Sequence, residues 1–160
     1  MLGKRAAGIW LFCFLPAVLC AGQAAAGPAS MQPVEEPRGE VVLPSGRVLQ
    51  VEIADTPAKR ARGYMSRERI SDTEGMVFMM ERLDFHSFWM KNCKVGLDII
   101  WLDENWKAVH IERKVPACLK DPCPSYTPLQ ASLYVLELQE GLSQKEGIKL
   151  GDRILYRPPQ

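Results

Sequence analysis

Five residues of types suited to ligand contact fall between positions 60 and 98: Arg60, Trp89, Lys91, Asn92 and Asp98. Asp98 is the sharpest of them. It sits in the apolar run Leu97 to Leu102, where it shares a strand face with Ile100 and Leu102. A carboxylate there must be paired or hydrogen-bonded, or its pKa rises. Arg60, Lys91 and Asn92 are the partners the sequence offers. Two roles stay open for Asp98: a structural network pinning the hairpin after Asn92, or a general acid–base or ligand-orienting group. Around Trp89, side chains alternate so that Ser87, Trp89 and Lys91 share one face and Phe88, Met90 and Asn92 the other. Trp89 then serves as a stacking platform with Lys91 and Asn92 as polar anchors, or as a core residue beside an Asn92 bonded to a turn. Arg60 has the chemistry to grip a ligand carboxylate or phosphate, or to clamp Asp98 or Glu74.

Other chemistries find less support. Cys93, His86 and Asp98 lie close in sequence, but a hydrolytic triad is defined by geometry, not spacing. No glycine-rich phosphate loop, Gly-x-Ser-x-Gly elbow or His-Glu-x-x-His motif occurs. With His86 and His110 the only histidines, no metal site is expected. Met65, Met76, Met79, Met80 and Met90 read as packing rather than copper ligands. Trp101, Trp106 and Tyr126 could line a sugar groove, although aromatics at strand positions are more often core. Asp152 reads as a turn residue. No cofactor is implied.

The elements that must position these residues are short. Glu40 to Leu43 and Arg47 to Ala54 flank Pro44-Ser45-Gly46, so a hairpin is expected. Thr56 and Pro57 start, and Gly63 ends, a two-turn helix carrying Arg60. Strands are expected over 76–80, 87–92, 97–102, 106–114, 133–138 and 153–156. A proline-rich loop fills 115–130, and a second short helix spans 142–146. About eight strands and two short helices make a mainly β domain over 39–158, either β-barrel-like or sandwich-like and compact. A parallel α/β fold is not expected, because no long crossover helix is present.

The N-terminus has the order of a secretory signal. Lys4 and Arg5 precede an apolar stretch from Ala6 to Ala21, and Ala24-Ala25-Ala26 offers the small residues of a cleavage site. Residues 1–26 are therefore read as a signal peptide and 27–38, with Pro28, Pro33 and Pro37, as a flexible leader. The expected location is periplasmic or secreted, with no stable membrane span after cleavage. The full chain holds 20 basic and 19 acidic residues, and loss of Lys4 and Arg5 leaves 18 against 19, a net charge of −1. That balance provides no basic field for nucleic acid. Cleavage also leaves three of five cysteines: Cys93, Cys118 and Cys123. In an oxidising space Cys118 and Cys123, flanking a short polar turn, read as a disulfide. Half of a metal site and free thiols are the alternatives. Cys93 reads as a buried thiol.

These motifs resemble the domain of unknown function 192 family. The resemblance runs through Thr56-Pro57, Arg60, Gly63, Met65 and Arg67, and then Glu74-Gly75-Met76-Val77-Phe78. It continues in Phe88-Trp89-Met90-Lys91-Asn92 with Leu97-Asp98-Ile99-Ile100. It ends in Tyr134-Val135-Leu136-Glu137-Leu138, Gly141, Gly147-Ile148 and Gly151-Asp152. It covers nearly all of residues 40–157. It implies a compact β-rich domain, often exported from bacteria and also found in archaea, without an established activity. The sequence departs from the family pattern at Cys93, where threonine is typical, and at Tyr64, where leucine is typical. The loop with Cys118, Cys123 and Tyr126 resembles a cysteine-containing segment of many exported members.

The functional expectation is an exported ligand-binding or envelope accessory module. Its site would lie near Arg60, Trp89, Lys91, Asn92 and Asp98, and its partner would be a small molecule or envelope component. The alternatives are a hydrolase acting on envelope sugars or peptides through Asp98, and a structural module marked by an exposed apolar patch.

Overall fold

A computed structural model describes residues 37–160. The expected signal peptide, and the leader up to residue 36, lie outside the described residues. The first hairpin joins β1 (Gly39–Val42) to β2 (Val48–Ala54), with Val42 opposite Val48. Its turn needs Gly46, whose φ of 88° lies in the left-handed region. Helix α1 (Pro57–Arg62) follows as its cap signals require. Thr56 Oγ1 accepts from the Lys59 amide at 3.2 Å, and the Gly63 amide donates to the Lys59 carbonyl at 2.9 Å.

The chain then returns in β3 (Glu74–Asp84), which lies parallel to β2. This is the one parallel pair among the named strands, and the fold stays mainly β rather than parallel α/β, as expected. The connection across residues 55–73 is long enough to return the chain without a long helix. β3 also runs past the expected end at Met80. It pairs with β8 (Ser132–Gln139) up to Met79, then overhangs through a register shift before Asp84 meets Ser132.

The strand expected over 87–92 is reduced to β4 (Phe88–Trp89), which pairs with β7 (Ser125–Tyr126) in a separate small sheet. Asn92 explains the break. Its φ of 59° turns the chain, a conformation asparagine tolerates better than most residues. β7 is the strand hidden in the expected loop. β5 (Leu97–Leu102) matches its expected span, and β6 (Ala108–Val115) starts two residues late. The delay comes from Asp103, whose side chain accepts from the amides of Asn105 and Lys107. After β8 come α2 (Leu142–Lys145) and β9 (Leu155–Arg157).

The main sheet has the order β6-β5-β8-β3-β2-β1-β9. Its edges approach at one end, where the Ile154 amide donates to the Trp106 carbonyl at 3.0 Å and Trp106 stacks on Tyr156 at 4.7 Å. The domain is mainly β with two short helices, as expected, and the sheet does not close into a barrel. β9 is three residues long and spends its ladder on β1, leaving one isolated bridge, Lys107 to Arg153, toward β6. Both faces are covered, which is why all six residues of β5 are buried. One face packs Ile100, Leu102, Leu136 and Leu138 with Leu142 of α2. The other packs Phe78, Ile99, Trp101 and Val135 with Tyr64, Met90, Cys93 and Phe88. Among the described residues no helix is long and apolar enough to cross a membrane.

Candidate functional site

A groove of about 500 Å³ lies between α1, the overhanging end of β3, and β4. That volume is within the range of small-molecule sites. Arg60 forms one wall and is held in place. Its guanidinium donates to the carbonyls of Asp55 at 2.9 Å and Met79 at 3.0 Å, and to Glu81 at 2.7 Å. It thus ties α1 to β3 and partners neither Asp98 nor Glu74. Opposite stands Trp89, 52% exposed. Lys91 Nζ lies 5.5 Å from the Trp89 ring centroid and 2.8 Å from Asp121, so its charge is shared between ring and carboxylate. The floor is fixed by aromatic packing: Phe88 meets Phe78 edge-on at 4.9 Å and Trp101 at 5.9 Å. The Trp101 indole donates to the His86 carbonyl at 2.8 Å, anchoring the segment that enters β4.

The structure thus brings Arg60 and Trp89 together around one concavity, sets Lys91 outside its lining against the Trp89 ring, and leaves two other expected residues away from it. Asn92 is exposed and acts through its backbone, accepting from the Ser66 amide and donating to the Cys118 carbonyl, each at 2.9 Å. Asp98 is fully buried, but on the opposite face of the sheet, under α2. Its carboxylate accepts from the amides of Lys114 at 2.8 Å, Gly141 at 3.0 Å and Ser143 at 2.8 Å, and from the Ser143 hydroxyl at 2.6 Å. Helix α2 begins at Gly141, which has no side chain to cap it, and Asp98 supplies the cap from β5. Arg60, Lys91 and Asn92 are not its partners. Because Cys93 packs on the other face, Cys93, His86 and Asp98 do not assemble into a triad.

Below the groove, a throat of about 40 Å³ is lined by Tyr64, Cys93 and Glu137 and shares Arg60, Phe78, Phe88 and Trp89 with the groove above. Glu137 is 4% exposed, and no hydrogen bond from the described residues reaches its carboxyl. It sits on the central strand β8, opposite Met76 of β3 and Ile99 of β5, so its ladder neighbours on the same face are apolar. Burial pushes its pKa up to about 8. Burial, and then the proximity of Glu137, pushes the Cys93 thiol up to about 11 and raises the Tyr64 phenol as well. At neutral pH the foot of the throat therefore carries three neutral, protonated groups. Sequence reasoning missed Glu137, although the signal that marked Asp98 was present: a carboxylate interrupting an apolar strand between Leu136 and Leu138.

The Cys118 and Cys123 sulfurs lie at bonding distance, 2.14 Å, closing the loop that carries Asp121. Cys93 is a free, buried thiol. The model of the DUF192 family, described as an uncharacterized ACR, matches residues 40–156, which include the groove and the throat. The chain belongs to this family. Among relatives, UPF0127 protein TK1120 of Thermococcus kodakarensis is 29% identical over 114 residues, covering 69% of this chain and 67% of that protein. A crystal structure of a protein of unknown function from Novosphingobium aromaticivorans is 32% identical with a TM-score of 0.68, covering 82% of this chain and 94% of that one. A Sinorhizobium meliloti structure described as a "putative transcription regulator" is 27% identical with a TM-score of 0.65, covering 75% of this chain and 92% of that one.

Proposed function

We propose that this DUF192 domain is an exported small-molecule-binding module whose ligand lies in the groove against Trp89. The observation that carries the reading is a half-exposed indole, topped by Lys91 and facing the immobilised Arg60, over a throat that ends in an unpartnered carboxyl. An exposed aromatic normally costs a folded domain favourable burial, and a ligand ring restores it. Because Arg60 and Lys91 already have carboxylate partners, the site favours a flat, mostly uncharged ligand over a free anion. Export is supported by the basic, apolar and small-residue order of positions 1–26 and by the Cys118–Cys123 pair. Nucleic-acid binding, which the description of the Sinorhizobium relative brings to mind, would call for a basic field, and the chain has a formal net charge of +1.

The test is native mass spectrometry of protein purified under mild conditions from its own host, alongside Trp89→Ala. A bound small molecule that is lost in the variant, at unchanged fold, is the expected result. Equal retention by both proteins would place the ligand elsewhere.

A further inference from the structure

The geometry points to Glu137 as a hydrogen-bond donor at the foot of the groove, forming a subsite for an uncharged acceptor such as a ring carbonyl or amide oxygen. This inference rests on the groove being a ligand site and names the chemistry the groove selects.

Buried polar groups are almost always hydrogen-bonded, so Glu137, a residue only 4% exposed whose carboxyl has no hydrogen-bond partner among the described residues, stands out. Its surroundings explain why it lacks one. Met76 and Ile99 flank it along the sheet, and Phe78 and Phe88 lie on the way to the groove. The titratable groups facing it are the Cys93 thiol and the Tyr64 phenol, both neutral. The cations on α1 do not neutralise it. Arg60 is committed to Glu81 and two carbonyls, and Arg62 is exposed at the mouth. An ionised carboxylate in that position would stand uncompensated in a poorly solvated place, so the protonated form prevails.

A protonated carboxyl has one O–H to give. The throat sets what can receive it. A water needs roughly 10–15 Å³ of such space, so about 40 Å³ admits a few non-hydrogen atoms and excludes a ring. A ligand ring would stay in the groove on Trp89 while a carbonyl projecting from it reached Glu137. A carboxylate there would oppose any ionisation of Glu137 and go unpaired itself. A cation would have to strip the proton from Glu137 first.

An isosteric series tests this: benzamide, benzoate and benzamidinium, titrated into the ¹⁵N-labelled protein by NMR. The Trp89 indole resonance reports the groove, and the Glu137 amide reports the throat. Benzamide is expected to shift both, to bind best of the three, and to weaken about tenfold between about pH 6 and about pH 9. Glu137→Gln keeps a donor and should bind benzamide equally at both pH values. Glu137→Leu should lose benzamide binding at least tenfold. Preference for benzamidinium that strengthens with pH, or full benzamide binding by Glu137→Leu, overturns the inference. If benzamide shifts Trp89 but neither pH nor substitution at 137 matters, the groove reading survives and the Glu137 assignment falls. If no probe shifts Trp89, both fall.

Discussion

Replacing Glu137 by glutamine should flatten the pH dependence of folding stability between about pH 5 and about pH 8. In the unfolded chain this carboxyl releases its proton near its ordinary value of 4.5, whereas in the fold it keeps the proton until about pH 8. The folded state therefore binds more protons throughout that window, and stability falls as pH rises. The slope is about 1.4 kcal/mol per pH unit. The deficit comes to about 3 kcal/mol by neutral pH and about 5 kcal/mol above pH 8. Other shifted groups act outside the window. Glu52, Asp55, Asp72, Asp84 and Glu146 have lowered pKa values, so their stabilisation is lost only on acidification below their ordinary range. Cys93 loses its proton in the fold near 11, from an ordinary 9, and acts above the window. Urea unfolding at several pH values, for wild type and Glu137→Gln with the disulfide intact, measures the two slopes. A steep fall in the wild type and a shallow one in the variant is expected. Matching slopes would mean that Glu137 ionises in the fold as freely as in the unfolded chain, and the reasoning from its burial would be wrong.

Three further outcomes follow from the same geometry. Asp98→Ala removes a buried carboxylate that satisfies three backbone amides and the Ser143 hydroxyl, and should cost about 3–5 kcal/mol in urea unfolding. Trp89→Ala should cost less than about 1 kcal/mol, because the ring is half exposed, yet abolish benzamide binding; a loss of stability comparable to that of Asp98→Ala would make Trp89 a core residue. Cys118→Ser should lower stability by about 2 kcal/mol through loop entropy and should perturb the Lys91 ammonium resonance, since Asp121 sits inside the closed loop.

The parts of the fold that were legible in the sequence are those whose signals are local. Thr56, Pro57 and Gly63 bound α1 because capping is settled within one turn, and Leu97 to Leu102 reads as β5 because an apolar run of strand length admits few other readings. What escaped was decided by distant partners. The strand after Ser87 stops at Trp89 because Asn92 turns the chain to meet Ser66 and Cys118, neither of which is near in sequence. β3 outruns Met80 through charged residues, Glu81 and Arg82, that look like a loop until the groove they border is seen. At the site, alternation correctly put Asp98 on the face of Ile100 and Leu102, but could not tell which face meets α2 and which meets the groove. The same alternation in β8 places Glu137 with Val135, facing Cys93 and Tyr64, and only pairing between β8 and β5 reveals that the two carboxylates point to opposite faces.

The claim on which the site rests is that Glu137 stands neutral, unpartnered and reachable from the groove. Difference infrared spectroscopy at about pH 6, comparing wild type with Glu137→Gln before and after benzamide, tests it most directly. A protonated-carboxyl band present only in the wild type, moving promptly on transfer to heavy water and again on adding benzamide, is the predicted result. Absence of that band, with an ionised carboxylate in its place, would contradict it.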